Sequence, residues 1–400
     1  MTDEAADVQS VEEREELEAE PTGNEVELEA LEGPAEANEY FAGIAPPDRR
    51  LITQPYDLAV GDLVDQVNSK NLSLNPVYQR RYVWDNKKAS KLVESLLINV
   101  PIPVCYLAEE SDGTRSTIDG QQRLRSLVRF LENEFALTGL EVLPELNRSR
   151  FFELAERQQR LIRNRTIRCI VISEDSDPEI RFDVFERLNT GSVALTAQEL
   201  RNSVYRGTLN LTLHDLAGCD EFKRSVAGRA DTRMTFEELI LRFFALRDNL
   251  AEYRPSLKAF LNRYMRENRN PDEGELSAKA DHLKVTATKA HAVFGDKCFR
   301  RPSGTPDDYS WLPTINSAVY DTVMLNFGAL AEGPDELAAR RQEIVDMTAR
   351  LMFEDDEFVD AISLSTGDRA RLHRRVRIYA RALQQIGLDS GLEQQLSDAP

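Results

Sequence analysis

The sequence has few of the residues that bind zinc or form disulfides. Its 400 residues include only four histidines and four cysteines. The histidines are His214, His282, His291 and His373, and the cysteines are Cys105, Cys169, Cys219 and Cys298. None of them has the close spacing that zinc ligands show, which argues against a zinc enzyme. The sparse cysteine content predicts a reduced, cytoplasmic protein.

Long hydrophobic runs are also missing. No stretch approaches the roughly 18 consecutive apolar residues of a membrane-spanning helix. The N-terminus is acidic from Asp3 onward, so no secretory signal peptide is predicted. The length of 400 residues suggests two or three domains with sizeable cores, and hydrophobic residues make up 41% of the chain.

The negative charge is concentrated at one end of the chain. The net charge is −19, and residues 1–40 contain 15 acidic residues and one basic residue, Arg14. The remainder, with 54 acidic and 49 basic residues, is only mildly acidic. This balance disfavours broad nonspecific DNA binding, although a local basic groove remains compatible with it. We expect residues 1–48 to be a disordered acidic tail, and a DNA-mimicking or partner-docking arm is the alternative.

Strand and helix patterns alternate up to about residue 205. Strands are predicted at 72–74, 104–107, 114–118 and 167–172, and helices are predicted after Asp85, Asp119, Asp177 and Thr196. Beyond Leu209 the strand signals vanish, and residues 235–269, 279–294, 311–327, 333–353 and 366–386 are amphipathic in helical register. The prediction is an α+β domain over residues 49–205, followed by an all-α domain over residues 206–395.

The most informative motif is Asp-Gly-Gln-Gln-Arg at Asp119–Arg123. It follows a predicted strand and opens a helix whose apolar face is Leu124, Leu127, Val128 and Leu131. Asp119 is expected to be the helix N-cap, with Gly120 allowing a tight turn. Backbone N–H groups at such a helix start favour phosphate, and Asp119 could hold a cation that bridges to it. The alternative is an ordinary capped helix with a surface arginine.

Two further polar clusters lie at the edges of predicted elements. The first runs from Tyr78 to Trp84, and the second runs from Arg187 to Gly191 and is followed by Gln198–Asn202. If Arg80, Arg81, Arg123, Arg187 and Arg201 converge, they form a polyphosphate site. The aromatic residues Tyr78, Tyr82 and Trp84 either stack on a base or belong to the core. The alternative for Asn189-Thr190-Gly191 is a plain helix stop.

Together these motifs carry a family resemblance. The segments Pro76–Trp84, Asp119–Leu124 and Phe185–Gly191 occur in an order and spacing that resemble the GmrS-like domain of GmrSD-type modification-dependent restriction systems. The resemblance implies a ParB/sulfiredoxin-like fold, and nucleotide binding and hydrolysis in anti-phage defence. It does not extend to an HNH nuclease domain, since the nearest candidate, His282, lies inside a helical pattern without adjacent strands. Nuclease activity is therefore not expected of this chain alone.

The resulting hypothesis is a DNA-associated nucleoside triphosphatase of a restriction system. The expected catalytic residues are Asp119, Gln121, Gln122 and Arg123, with Asp119 also holding Mg²⁺. The expected nucleotide-binding residues are Tyr78, Gln79, Arg80, Trp84, Gly120, Arg187, Asn189 and Thr190. DNA, a separate nuclease or effector protein, and a second copy of the chain are the expected partners. The alternative is a non-catalytic module in which nucleotide switches the affinity for DNA or a partner protein.

Overall fold

The fold begins with a five-stranded mixed sheet. The computed structural model describes residues 50–74, 84–110, 112–188, 195–227, 231, 233–363 and 365–397. The strands are β1 (Thr53–Ala59), β2 (Leu72–Ser73), β3 (Cys105–Glu109), β4 (Arg115–Asp119) and β5 (Thr166–Ile172), in the spatial order β1-β5-β3-β4-β2. Strand β3 is parallel to β5 and antiparallel to β4. The end of β4 and the start of β3 therefore lie at the same edge of the sheet.

One face of the sheet is covered by four helices. They are α1 (Val60–Asn68), α2 (Asn86–Leu97), α3 (Gln121–Leu131) and α4 (Glu156–Asn164). Their buried side chains share one hydrophobic cluster with Cys105 and Leu107 of β3. Asp85 caps α2, because its side chain accepts a hydrogen bond from the Lys88 N–H at 2.7 Å. This confirms the cap that the sequence predicts there.

The other face of the sheet packs against α5 (Pro178–Leu188), α6 (Ala197–Val204) and the helices that follow. Ala108 and Ile118 belong to this second cluster, whereas Leu107 belongs to the first. Neighbouring residues of a strand point to opposite faces, so the sheet separates two cores. Thr196 and Glu199 form the predicted capping box of α6.

The rest of the chain is mainly helical, and we call it the helical half. Its helices are α7 (Thr208–Ala217), α8 (Asp220–Ser225), α9 (Thr235–Asn249), α10 (Leu257–Glu267), α11 (Glu273–Phe294), α12 (Ser317–Ala329), α13 (Pro334–Ala339), α14 (Arg341–Glu354), α15 (Asp356–Ser363), α16 (Arg369–Gln385) and α17 (Leu392–Ser397). A hairpin of β6 (Pro302–Thr305) and β7 (Asp308–Trp311) interrupts them. The prediction of an all-α domain is therefore wrong at this hairpin. Within the described ranges, no helix is both long and apolar enough to cross a membrane.

Candidate functional site

The Asp119 loop lies where β4 passes into α3. Asp119 is the last residue of β4, Gly120 has φ 97°, and α3 starts at Gln121. The prediction that Asp119 caps α3 is wrong, because the N-cap residue is Gly120 and no side chain caps the helix. A β-bulge shifts the register opposite Asp119, between Tyr106 and Leu107 of β3. Bulges re-aim side chains and often occur beside functional sites.

Gly120 is required by its surroundings as well as by its backbone angle. An ideal Cβ at this position would lie 2.5 Å from the Cys105 Sγ, which is closer than real Cβ atoms come to a neighbour. Cys105 is fully buried and is opposite Cys169 in the β3–β5 register. A hydrogen bond with Cys169, together with burial, raises the pKa of the Cys105 thiol. The loop therefore lies directly against the buried, uncharged thiol of Cys105.

Arg123 turns back towards the loop. Its Nη2 donates to the Asp119 Oδ2 at 2.6 Å, and its Nη1 donates to the carbonyl oxygens of Pro103 and Val104, the latter at 3.3 Å. The Arg123 side chain is only 13% exposed, whereas that of Asp119 is 42% exposed. In this arrangement Arg123 holds three backbone and side-chain oxygens. The two carbonyl acceptors could not be predicted from the sequence, because a backbone acceptor has no residue signature.

The two glutamines of the motif bind the residues that flank the Tyr78–Trp84 cluster. The Gln121 Nε2 donates to the Leu74 carbonyl at 2.6 Å, and the Gln122 Oε1 accepts from the Trp84 N–H at 3.3 Å. Leu74 and Trp84 are the described residues on either side of 75–83. The first turn of α3 therefore holds both ends of that segment. Tyr78, Gln79 and Arg80 themselves, together with Arg81 and Tyr82, lie outside the described residues.

Trp84 has a structural environment of its own. It is partly buried and packs against the hydrophobic cluster on the α1–α4 face of the sheet. The Lys88 ammonium lies 5.0 Å from the centroid of its ring. These contacts favour the core alternative for this aromatic residue. Its predicted role in nucleotide binding stays a prediction.

Arg187 belongs to the third motif, and its described partner is Asp183 rather than a residue of the Asp119 loop. It lies at the end of α5, is 72% exposed and donates to the Asp183 carboxylate at 2.8 Å. Helix α5 starts six residues after the end of β5, and its buried side chains pack against the sheet. Asn189, Thr190 and Gly191 lie outside the described residues.

Arg201 does not converge with these groups. It is 2% exposed, and its guanidinium donates to Asn262 of α10, Gln198 of α6 and Glu238 of α9 at 2.9–3.1 Å. Asn202 of the same motif donates to Glu237 of α9. The prediction that Arg201 joins a polyphosphate site is therefore wrong. The Gln198–Asn202 segment fastens α6 to the helical half.

The oxygen donors of the loop suit a magnesium ion only in part. Asp119 has one carboxylate oxygen bound to Arg123, and its other oxygen accepts no hydrogen bond among the described residues. Those residues contain no group of three or more acidic, histidine or cysteine side chains that could hold a metal. Magnesium often takes just one or two protein carboxylates and completes its shell with phosphates and water. The single Asp119 carboxylate could therefore contact a magnesium ion that phosphates also bind. It does not by itself form a metal site made of protein ligands.

The surface beside α3 has a cleft that does not include the predicted catalytic residues. One cleft of about 690 Å³ runs beside α3, between α1 and β2, and Leu74, Lys70 and Arg125 are among the residues that line it. None of the four predicted catalytic residues lines it. His282, the nearest nuclease-like candidate, lies within α11 with its ring stacked on Phe243 at 5.7 Å. Burial lowers the pKa of His282, so its environment is that of a packed helix residue.

Comparison with known families finds a match for one part of the chain. Residues 60–206 match the N-terminal domain of the GmrSD restriction endonuclease. The match runs from α1 to the end of α6 and includes all three motifs, which confirms the resemblance seen in the sequence. It covers an N-terminal domain only and contains no HNH nuclease domain. No curated protein matches the chain.

Proposed function

We propose that this GmrSD-like domain binds a nucleoside triphosphate at the start of α3, and that the chain acts with DNA in a restriction system. The family match supports the association with a restriction system, and through it with DNA. The nucleotide is proposed from the loop itself. Hydrolysis of that nucleotide is the second part of the proposal.

The meeting of two motifs at one helix end is the observation that carries the proposal. Gly120 leaves the start of α3 without a side-chain cap, and a helix N-terminus attracts phosphate through its N–H groups and its dipole. Gln121 and Gln122 hold the two ends of the segment that contains Tyr78, Gln79 and Arg80. The residues that flank a basic and aromatic segment of the sequence are therefore held at a helix start that favours an anion, which supports the proposal.

The side chains of the loop suggest a division of roles. Asp119 is the exposed carboxylate and would orient the attacking water or hold Mg²⁺ beside the phosphates. The magnesium ion, when bound, would supply charge neutralisation. Arg123 is mostly buried and already binds Asp119, so its geometry favours positioning that carboxylate over direct phosphate contact. Arg80 and Arg187 then remain as the proposed phosphate-neutralising cations.

The alternative function is a nucleotide switch without hydrolysis. A specific observation favours it: Arg123, Gln121 and Gln122 all make contacts that hold the fold of the loop. In that case nucleotide binding would change the affinity for DNA or for a separate nuclease or effector protein. The ParB/sulfiredoxin-like fold and self-association stay predictions.

The test compares Asp119→Asn and Arg123→Ala with the parent protein. With magnesium present, we expect the parent to release phosphate and both variants to lose that activity. Asp119→Asn should keep the parental nucleotide affinity without metal, because only the charge needed by a cation is removed. If Arg123 does contact phosphate, Arg123→Ala should also weaken binding by about 1.5–3 kcal/mol.

A matched pair elsewhere on the sheet serves as the control. Asp57 and Arg168 form an exposed bidentate ion pair between β1 and β5, so Asp57→Asn and Arg168→Ala should leave phosphate release unchanged. Parental rates in both loop variants would contradict a catalytic loop. Nucleotide binding without phosphate release by the parent would favour the switch.

A further inference from the structure

Helix α16 has an unusual composition for this chain. It contains six arginines, one histidine and no acidic residue, within a protein of net charge −19. Its 17 residues span about 25 Å at the rise of an α-helix. A local positive potential can therefore exist on a molecule that is acidic as a whole.

Three of the six arginines form ion pairs with acidic residues. Arg371 pairs with Asp360 at 3.1 Å, Arg375 with the buried Asp321 at 3.0 Å, and Arg381 with Glu393 at 2.7 Å. In contrast, Arg374 and Arg377 form no ion pair or hydrogen bond with the described residues. They lie three positions apart, which places them side by side on the helix.

The N-terminal end of α16 borders a cleft of about 650 Å³. Arg369 lines this cleft and donates to the Ala251 carbonyl at 2.9 Å, which ties α16 to the loop between α9 and α10. Arg254 and Arg263 line the same cleft from that loop and from α10. Both are exposed, and neither has an ion pair with the described residues.

Next to the cleft, His373 joins the two groups of arginines. Its Nε2 lies 2.9 Å from the Leu250 carbonyl, and burial together with nearby positive arginines, Arg369 and Arg377 among them, lowers its pKa. We call five side chains the arginine surface: three of them line the cleft, Arg377 lies close enough to His373 to lower its pKa, and Arg374 precedes Arg377 by three positions on the same helix. It consists of Arg254, Arg263, Arg369, Arg374 and Arg377. Two acidic residues, Glu252 and Glu267, line the same cleft, so the surface keeps a net charge of +3.

We propose that the arginine surface binds the sugar–phosphate backbone of duplex DNA. The choice of DNA rests on the proposed function, whereas the position of the contact rests on α16 and the cleft. Guanidinium groups bind phosphate oxygens in a bidentate manner, and each phosphate contact releases bound counterions. Arg254, Arg263, Arg374 and Arg377 lack an acidic partner in the described part of the chain, so these four can neutralise phosphates without breaking an ion pair. The surface belongs to the helical half, and none of its residues is among the predicted nucleotide-site residues.

The test is the fluorescence anisotropy of a short labelled DNA duplex with the full chain, without nucleotide, between about 50 and 200 mM salt. We expect Arg374→Ala/Arg377→Ala to bind roughly tenfold more weakly and to reduce the salt slope by about 2, since two phosphate contacts are lost. Arg254→Ala/Arg263→Ala, at two residues that line the cleft, should have the same effect. The melting temperature should change little, because these four side chains form no ion pair or hydrogen bond with the described residues, and Arg263 only lies over the Phe260 ring at 5.7 Å.

A charge-matched control is available on α4. Arg157 and Arg160 are exposed there, and Arg157→Ala/Arg160→Ala should keep the parental DNA affinity. Equal affinity of the parent and both surface variants would overturn the proposal. So would the absence of DNA binding by the parent, which is the result expected if the acidic residues 1–40 occupy the surface instead. Nucleotide affinity, measured on the same variants, should be parental, so failure here is separate from failure at Asp119.

Discussion

Two arginine-containing motifs of this chain have similar sequences but different positions in the structure. Asp-Gly-Gln-Gln-Arg ends in Arg123, and Gln-Glu-Leu-Arg-Asn contains Arg201. Both open a helix, and both combine amides, a carboxylate and an arginine. The first lies at an edge of the sheet with Asp119 half exposed, whereas the second is buried between α6, α9 and α10. A polar motif at a helix start can therefore belong either to a functional site or to a buried contact between helices.

The difference arises from what each arginine can reach. Arg201 faces side chains from distant parts of the chain, such as Asn262, and no periodicity in its own helix indicates them. Arg123 faces its own loop and the backbone before β3. Only the loop keeps an exposed carboxylate. Burial thus separates the two motifs, and residue type does not.

The largest effect that tests this comparison is expected for Arg201→Ala. The change leaves Asn262 and Gln198 without a buried partner and Glu238 without its cation. Breaking such a buried network costs about 3–5 kcal/mol of unfolding free energy. Chemical denaturation, followed by circular dichroism, measures it.

Arg187→Ala, in the third motif, is the matched control for Arg201→Ala. Its side chain is 72% exposed and pairs only with Asp183 on the same helix, so we expect a change of less than about 0.5 kcal/mol. Equal losses of stability in the two variants would show that burial does not distinguish these motifs.

The next effect in size is expected for Gly120→Ala. A left-handed φ of 97° costs an alanine about 1–2 kcal/mol, and the contact with the Cys105 Sγ adds about 1–3 kcal/mol of overpacking. Gly113→Ala isolates the first term, since Gly113 has φ 78° and nothing within 4 Å of an added Cβ. Thermal melts of the two variants should differ. Equal melts would mean that the loop is not seated on β3.

Much of the fold follows from local sequence signals. The caps at Asp85 and Thr196 and the strand at 167–172 were predictable, because each depends on residues next to one another. Strand β1 was missed: it is a mostly exposed edge strand that contains Pro55, so neither alternation nor composition indicates it. The β6–β7 hairpin was missed for a similar reason, since its residues are mostly exposed.

The candidate site was predictable in its residues and less so in their roles. The Asp119 motif indicated a strand-to-helix turn, and that turn is present. The sequence could not show that Gly120 replaces Asp119 as the N-cap, or that Arg123 binds the carbonyls of Pro103 and Val104. Such contacts depend on how β3 lies beside β4. They are tertiary facts without a local pattern.

An intermediate effect is expected for Trp84→Ala. The ring is partly buried against the core cluster and lies near the Lys88 ammonium, so its loss should cost about 2–3 kcal/mol, less than for a fully buried aromatic residue. Phe152→Ala, at a residue that is 66% exposed, should cost less than about 1 kcal/mol. Nucleotide affinity measured on the same proteins then decides the role of Trp84. An unchanged stability with a lost affinity would identify it as a stacking platform.

The smallest effects on stability are expected for Gln121→Ala and Gln122→Ala. These variants also test most directly whether the Asp119 loop differs in role from the Arg201 motif. Each removes a hydrogen bond to a residue flanking the segment 75–83, at Leu74 or at Trp84. Such bonds contribute about 0.5–1.5 kcal/mol each, so both variants should remain folded. If that segment forms part of the nucleotide site, nucleotide affinity should fall in both variants, because its ends are no longer held at α3. Calorimetric titration with nucleotide, alongside thermal melts, measures the two effects separately. A loss of stability with parental nucleotide affinity would show that the Asp119 loop, like the Arg201 motif, only stabilises the fold.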